Sequence, residues 1–465
     1  MIQKARYDWK ELIKRVAVIA IPVALQNLLT TTGSMIDTMM ISSLGESYIG
    51  AVGLCGQFSF LMFSCYWGFI GGGSLFMSQY WGAKDEDGID HAYGLMLTCI
   101  MTVAILFGAA AVCIPKTVLT MYTDQPSVQE TGVRYIRIVG FAYPLQVLSM
   151  GMSALLRSTE RVKIPLYASI ASVATNTFMN WVLIFGNLGA PALGVQGAAV
   201  ATVLSALVNV LVVAIACGAT KFKFLFHFRK HFKWDKNFLR LFFGKCLPIL
   251  ANEVLIGIGN AVINIVLGHQ SVEAIAAVAI FRTIEGLVIG FFAGFSSASS
   301  VLVGKDVGAG ETKQAYNTAI RVVYLCQATI LLVVLCLFAA NYPLLHLLGL
   351  SGESYEIGRG LIMIYGVACV IRMGNWTQND TYRAAGDAIY GTVLEIVFMY
   401  LMVLSCLLLA NYKFHAPFLV VFAMCYVDEL IRYIIMQRHM FSAKWIKPVT
   451  PEGKRGLELF LAEKN

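Results

Sequence analysis

Charged side chains are scarce in this sequence: Asp, Glu, Lys and Arg make up 13% of its 465 residues, where soluble domains carry about 25%. That shortage excludes a protein with a fully solvated surface and leaves no room for a sizeable soluble domain. Other absences narrow the chemistry. None of the 11 cysteines forms a CxxC pair, and Cys55, Cys99, Cys217, Cys326 and Cys425 all fall inside apolar runs. They read as small packing residues rather than disulfides or zinc ligands. The seven histidines, His91, His231 and His269 among them, sit at loops or helix ends, so no cluster is available for a metal or a deep proton relay. No GxxxxGK[ST] stretch occurs, which speaks against ATP-driven work. No nucleophile–base pair or metal cluster lies at depth, so an enzyme is not expected, and neither is a cofactor.

What is present is apolar length. Hydrophobic residues account for 58% of the chain, and several runs exceed the roughly 18 residues that mark a transmembrane helix. Taking each run as one helix gives twelve, at about 15–43, 48–78, 92–114, 133–156, 163–185, 194–218, 241–268, 273–304, 318–340, 359–382, 388–410 and 416–437. The first is too long for a signal peptide and has no small-residue cleavage site after it, so it reads as a retained helix.

The connections alternate in charge. One side holds Lys4, Arg6, Lys10, Lys14 and Arg15, then Arg157, Arg161 and Lys163, the run Lys221 to Arg240, then Lys305, Lys313 and Arg383, and the tail Arg438 to Lys464. The other side has about four cations, Lys116, Arg134, Arg359 and Lys413. By the positive-inside rule both termini and the central loop are cytoplasmic, in a multi-pass protein of the cell membrane. The +8 net charge is thus a topology signal, and a nucleic-acid partner is not expected. The loop KFKFLFHFRKHFKWDKNFLR interleaves cations with aromatics and reads as an amphipathic linker on the inner leaflet.

The chain also repeats itself. A shift of 226 residues without gaps places Pro22 on Pro248, Ala51-Val52 on Ala277-Val278, Gly68-Phe69 on Gly294-Phe295, Gly82-Ala83 on Gly308-Ala309, Arg157 on Arg383 and Ala190-Pro191 on Ala416-Pro417. Each copy has six helices, an even number, so both enter the membrane from the same side. The expected fold is an all-α polytopic membrane protein, with twelve transmembrane helices in two six-helix lobes related by a pseudo-two-fold axis along the membrane normal. That is a transporter architecture. The expected boundaries are 1–218 for the first lobe, 219–240 for the basic linker, 241–437 for the second lobe and 438–465 for a cytoplasmic tail.

The first helix carries one acid, Asp37, with no cation between Pro22 and Gly45. A carboxylate there costs roughly 2.5–3.5 kcal/mol on insertion scales, so such groups face a bundle interior or a water-filled cavity. It lies about two turns below the outer surface at 1.5 Å per residue. Asn180 on the outward-running fifth helix falls at that level, Asn176 one turn deeper on the same face, and Thr202 on the sixth helix about two turns down. A carboxylate with amide and hydroxyl oxygens suits a hard monovalent cation, and the same carboxylate could exchange a proton instead. The coupling ion is therefore H⁺ or Na⁺, with Na⁺ the one metal these four residues could hold.

The second lobe departs from this pattern, with Ile263, Met402 and Cys406 opposite Asp37, Asn176 and Asn180, and Asp428 opposite Thr202. Its charges are Glu253, Arg282, Glu285, Arg372, Glu395, Asp428 and Glu429. Glu253, Glu285, Arg372 and Asp428 are candidates for substrate binding or second-lobe coupling, against the reading of a buried ionic network. Glu253 stands out, since its own helix offers no cation at that depth; acids without matching cations favour a cationic substrate. Arg282 and Glu285, three apart, can pair with each other.

Several stretches carry a family resemblance: IDTMMISSLG (36–45), QYWGAKD (79–85), NTFMNWVLIFG (176–186) followed by GVQGAAVAT (194–202), VGKDVGAGE (303–311) and RAAGD (383–387). Together they resemble the multidrug and toxic compound extrusion (MATE) transporters, in the bacterial branch with NorM- and DinF-type proteins. The resemblance implies efflux of organic cations or other amphipathic compounds in exchange for H⁺ or Na⁺; the protein is expected to work by alternating access, as a monomer in the lipid bilayer. It places the family's first-helix acid on Asp37, its helix 5 polar pair on Asn176 and Asn180, its helix 6 threonine on Thr202 and a helix 7 acid on Glu253. Some members have an acid where this chain has Asn180. A lipid-linked saccharide flippase has similar lobes but calls for a strongly cationic central cavity.

Overall fold

The computed structural model describes residues 9–347 and 349–464; Lys4 and Arg6 lie outside the described residues. The protein is an all-helical polytopic membrane protein. In chain order the helices are α1 (Trp9–Ser42), α2 (Glu46–Ala83), α3 (Glu86–Cys113), α4 (Pro115–Thr120), α5 (Pro126–Val139), α6 (Ala142–Ser158), α7 (Lys163–Phe185), α8 (Val195–Ala219), α9 (Phe228–His231) and α10 (Lys236–Gly268). They continue with α11 (Val272–Gly308), α12 (Thr312–Ala339), α13 (Asn341–Leu347), α14 (Gly352–Ala384), α15 (Tyr390–Phe398), α16 (Ser405–Leu408), α17 (Phe418–Ala423), α18 (Glu429–Ser442) and α19 (Pro451–Lys464).

Local chemistry sets several ends. The Asp85 carboxylate accepts from Gly88 N at the start of α3, and Ser271 Oγ accepts from Ala274 N at the start of α11. Both are N-caps that satisfy an orphan donor of the first turn. Gly186, at φ +76°, ends α7 in the left-handed conformation that glycine adopts without penalty.

Among the described residues ten helices are long and apolar enough to cross a membrane, and α5 with α6, bent by 47°, makes an eleventh. The twelfth segment of the sequence is broken: α17 passes through a 3₁₀ turn at Met424–Tyr426 before α18 begins. The eleventh is irregular in another way, with π-helical turns at Met399–Leu404 and Leu409–Lys413 flanking α16.

Contacts divide the chain into two compact units, one of Leu25–Met77 with Asp85–Leu250, the other of residues up to Ala24, Ser78–Lys84 and Ala251 onward. These boundaries cut through α1, α2 and α10, whereas the sequence repeat assigns whole helices. The repeat is visible in matched contacts. In the first unit Gly68 packs directly on the backbone of Leu250; in the second its counterpart Gly294 packs on Ala20. Within the second unit, a Cβ on Gly82 would collide with the carbonyl of Lys305, and one on Gly308 with the carbonyl of Gln79. Gln79 and Lys305 are themselves 226 apart, so the contact is reciprocal. The run Gly71-Gly72-Gly73 lies inside the unbroken α2; there Gly72 abuts Cys246 and Gly73 abuts Met96, close helix packing rather than a phosphate loop.

The linker adds to the sequence expectation: part of its aromatic side is packed within the first unit. Phe222, Phe224, Leu225 and His231 are buried, His227 Nδ1 lies 2.8 Å from Asp90 Oδ2, Lys230 Nζ donates to Asp87 Oδ1 at 2.7 Å, and Arg161 sits over the Phe222 ring. Phe228 and Phe232 remain exposed.

The tail beyond residue 438 is folded as well. Trp445 is fully buried, Lys447 N donates to Ala385 O at 2.9 Å, Val449 N donates to Gln79 Oε1 at 2.8 Å, and Thr450 Oγ1 donates to Gly308 O at 2.7 Å. Asp387, between α14 and α15, accepts from Lys447 Nζ at 2.8 Å and lies 3.0 Å from His439 Nε2. Burial alone would raise the Asp387 carboxyl, but its hydrogen bonds to His439 and Lys447 and their charges outweigh that and hold it below the usual carboxylate range. A depressed pKa means stability that is present above the unfolded value and lost as pH falls through the folded one. Asp387→Asn is therefore expected to lower the unfolding temperature in detergent at neutral pH. The gap from wild type should close only below about pH 4, where even an unperturbed carboxyl protonates; a gap that closes between pH 5 and 7 would contradict this.

Candidate functional site

One position on α7 meets one on α1, and a second α7 side chain four residues away joins it. Asn180 is fully buried, and its Nδ2 donates to Asp37 Oδ1 at 2.6 Å and to Asn176 Oδ1 at 3.2 Å. The helix period explains the pair, since residues i and i+4 share a face. Close approach of α1 to α7 is aided by Gly33, whose missing side chain makes room for Val173. Asn180 Oδ1 is buried without a hydrogen-bond partner among the described residues. An unpaired buried amide oxygen costs about 1–3 kcal/mol, and this one belongs to the amide whose Nδ2 holds the Asp37 carboxylate. A carboxylate and two amide oxygens form a donor set that fits a hard cation, or a proton carried on Asp37 itself. Thr202 is not drawn into this hydrogen-bonded cluster. Its hydroxyl donates to Ala198 O at 3.0 Å, one turn back in α8. Elsewhere on α1, Thr31, Ser34, Met35, Thr38 and Met39 line an open cavity of about 490 Å³.

The α1–α7 contact has a repeat counterpart at a different level. Gln26 Nε2 donates to Ser169 Oγ at 3.1 Å in the first unit. The residues 226 further on, Asn252 and Glu395, make the same contact at 3.1 Å in the second. The first unit places its acid eleven residues further along α1, at Asp37, where the second has Ile263. One scaffold contact is thus polar in both copies, and each copy puts its carboxylate elsewhere along it.

In the second unit the charges form one chain of ion pairs. Arg282 Nη1 is 2.6 Å from Glu285 Oε2, and Glu285 Oε1 is 3.3 Å from Arg372 Nη1. Arg372 Nε is 3.8 Å from Glu429 Oε1, and Arg432 is 2.8 Å from Glu429, 3.2 Å from Asp428 and 3.8 Å from Glu395. Arg383 then reaches Glu395 at 3.9 Å, Asp380 at 3.7 Å and Glu253 at 3.2 Å. Asn375 donates to Glu429 at 2.7 Å, Asn379 donates to Glu395 at 3.0 Å, and Ser296 donates to Asp380. Four guanidiniums face six carboxylates, a net charge of −2 with all groups ionised. Arg282, Arg372, Arg432, Glu395, Asp428 and Glu429 also line a cavity of about 100 Å³.

This corrects the reading of Glu253 as an acid without a cation. Its partner, Arg383, comes from α14, and a search confined to its own helix misses it. Arg383 itself reads from sequence as a cytoplasmic charge, yet its side chain is only 14% exposed. Glu285, Arg372 and Asp428 belong to the same chain of pairs. Arg432 and Asp380 escape the sequence reading altogether. The spacings Asp380/Arg383 and Asp428/Glu429/Arg432, three and four apart, carried the signal.

Comparison with known proteins agrees with this architecture. The sequence model of the MatE family matches residues 22–182 and again 248–408, two copies displaced by the same 226 residues as the internal repeat. The probable multidrug resistance protein YoeA of Bacillus subtilis (strain 168) is 25% identical over 382 residues, covering 81% of this chain and 82% of its own. The probable multidrug resistance protein NorM of Thermotoga maritima is 22% identical over 458 residues, covering 97% and 96%. A crystal structure described as MATE in the straight conformation superposes with a TM-score of 0.83 at 16% identity, over 93% of this chain and 97% of that one. With the family model covering both repeats, the chain belongs to the MatE family.

Proposed function

We propose that this protein exports amphipathic organic cations across the cell membrane in exchange for H⁺ or Na⁺ by alternating access, as a monomer with both termini cytoplasmic. The observation that carries the reading is the half-buried cluster Asp37–Asn180–Asn176, an acid inside a membrane span bonded to a fully buried neutral amide, with an amide oxygen left over. Relatives described as multidrug resistance proteins support the substrate class. The net negative charge of the second unit's ion chain supports a cationic substrate, although its acids are mostly matched rather than free. A flippase for polyanionic lipids calls for unpaired cations. Here each arginine lining the second unit's cavity faces a carboxylate.

In this mechanism Asp37, held by Asn180, takes up H⁺ or Na⁺ when it is open to the outside. Neutralising it alters the packing of α1 and weakens substrate binding, and the ion-loaded carrier turns inward. An ion shifts that equilibrium only by its differential affinity for the two states. The test is transport in proteoliposomes, with ethidium followed under an imposed pH gradient and, separately, an imposed Na⁺ gradient. Movement driven by one gradient establishes antiport and identifies the ion. If neither gradient moves any organic cation tried, the reading fails.

A further inference from the structure

Where the α14–α15 connection meets α18 and the tail lies an open cavity of about 690 Å³, which shares no lining residue with the ion chain and is lined by Tyr390, Ile435, Arg438, His439, Lys444 and Lys447 among others. Its charge is lopsided. The one acid in the lining, Asp387, is buried and already engaged by Lys447 and His439. Tyr390 stacks on the His439 ring at 3.6 Å and fixes that arrangement. The ion pairs within the lining are those of His439 and Lys447, and Arg438 and Lys444 enter none among the described residues. Chain neighbours of the lining, Ile389, Ile434 and Phe441, are exposed apolar side chains at 52%, 47% and 46%.

We infer that this cavity holds the headgroup of an anionic phospholipid. The phosphodiester would lie against Arg438 and Lys444, and the acyl chains along Ile389, Ile434 and Phe441. A basic pocket at the end of membrane helices, bordered by apolar surface, is the chemistry that selects such lipids. A free phosphate or nucleotide makes use of the cations but leaves the apolar border unused. The leaflet is the one given by the proposed topology; binding itself depends on neither that topology nor transport.

The test is native mass spectrometry of the full-length protein in detergent, titrated with phosphatidylglycerol or with phosphatidylcholine of the same acyl chains. Phosphatidylglycerol should be retained preferentially. Arg438→Gln with Lys444→Gln should weaken that retention about thirtyfold, at the known contribution per basic residue, and leave phosphatidylcholine unaffected. Arg438→Lys with Lys444→Arg should keep the preference, which separates charge from side-chain shape. Equal retention of the two lipids, or unchanged retention in the Gln double variant, overturns the inference. So does competition in which inorganic phosphate displaces the lipid as well as added phosphatidylglycerol does, since the site would then be one for free phosphate. Because no gradient or substrate enters the assay, a failed antiport experiment and a failed lipid experiment are separate results.

Discussion

Asp37→Asn protein in proteoliposomes is expected to show no acceleration of ethidium movement by whichever gradient drives the wild type, a fall of about tenfold or more to the passive leak. The substitution keeps the shape of the side chain, and an amide oxygen can still accept from Asn180 Nδ2, which lies 2.6 Å from Asp37 Oδ1. What it removes is the ability to change charge. A carboxylate in a membrane span carries an insertion cost of roughly 2.5–3.5 kcal/mol that an uncharged side chain does not share in full. The unfolding temperature of the variant in detergent should therefore be unchanged or higher. Lost coupling with retained stability assigns Asp37 to the ion; lost coupling with a collapsed melting transition assigns it to packing. Gradient-driven transport at the wild-type rate would remove Asp37 from the mechanism.

The amide of Asn180 suits such a role because it can serve both states of its neighbour. As found, Nδ2 donates to the carboxylate while Oδ1 stays unpartnered. Turned by half a revolution, the same side chain offers Oδ1 to a protonated Asp37, or to a cation beside it. A carboxamide is donor and acceptor in one planar group, so each state finds a partner. The energetic difference between the states then lies in how α1 packs. That is where a coupling ion must act if it is to bias a conformational equilibrium.

Much of this fold was legible because it depends on quantities a sequence carries directly. The 226-residue offset needs only residue identities, and the family match falls at the same spacing. The meeting of Asp37 with Asn180 needed only depth, since two helices that the charge pattern reads as running the same way count residues from the same surface. Thr202 shows the limit of depth alone. A threonine in a helix can satisfy its hydroxyl on the carbonyl one turn back, as Thr202 does with Ala198, and helix rotation then decides whether it faces a site. Glu253 and Arg383 show a second limit. They are 130 residues apart, and no spacing rule on one helix connects them. The tail shows a third. It lacks an apolar run long enough to register, yet it docks through one tryptophan, Trp445, and a few backbone hydrogen bonds.

Arg383→Gln is expected to be among the most destabilising single substitutions in the second unit. The guanidinium lies within ion-pair reach of Glu253, Asp380 and Glu395, drawn from α10, α14 and α15. Replacing a buried ion pair with apolar residues can be harmless, but deleting one partner leaves the others charged and desolvated, at a cost of about 3–5 kcal/mol. Here one arginine serves three acids, so the loss should sit at the upper end of that range, seen as a lowered melting transition in detergent. Adding Glu253→Gln removes one stranded charge and should restore part of the loss, a coupling of about 1 kcal/mol or more in a double-mutant cycle. Only partial recovery follows, because Asp380 and Glu395 stay behind. If the two substitutions prove additive, the 3.2 Å pair between Glu253 and Arg383 contributes nothing, and Glu253 returns to being a free acid available to substrate or ion. If they couple, Glu253 is held by the protein in this state, and a cation that reaches it must displace a guanidinium to do so.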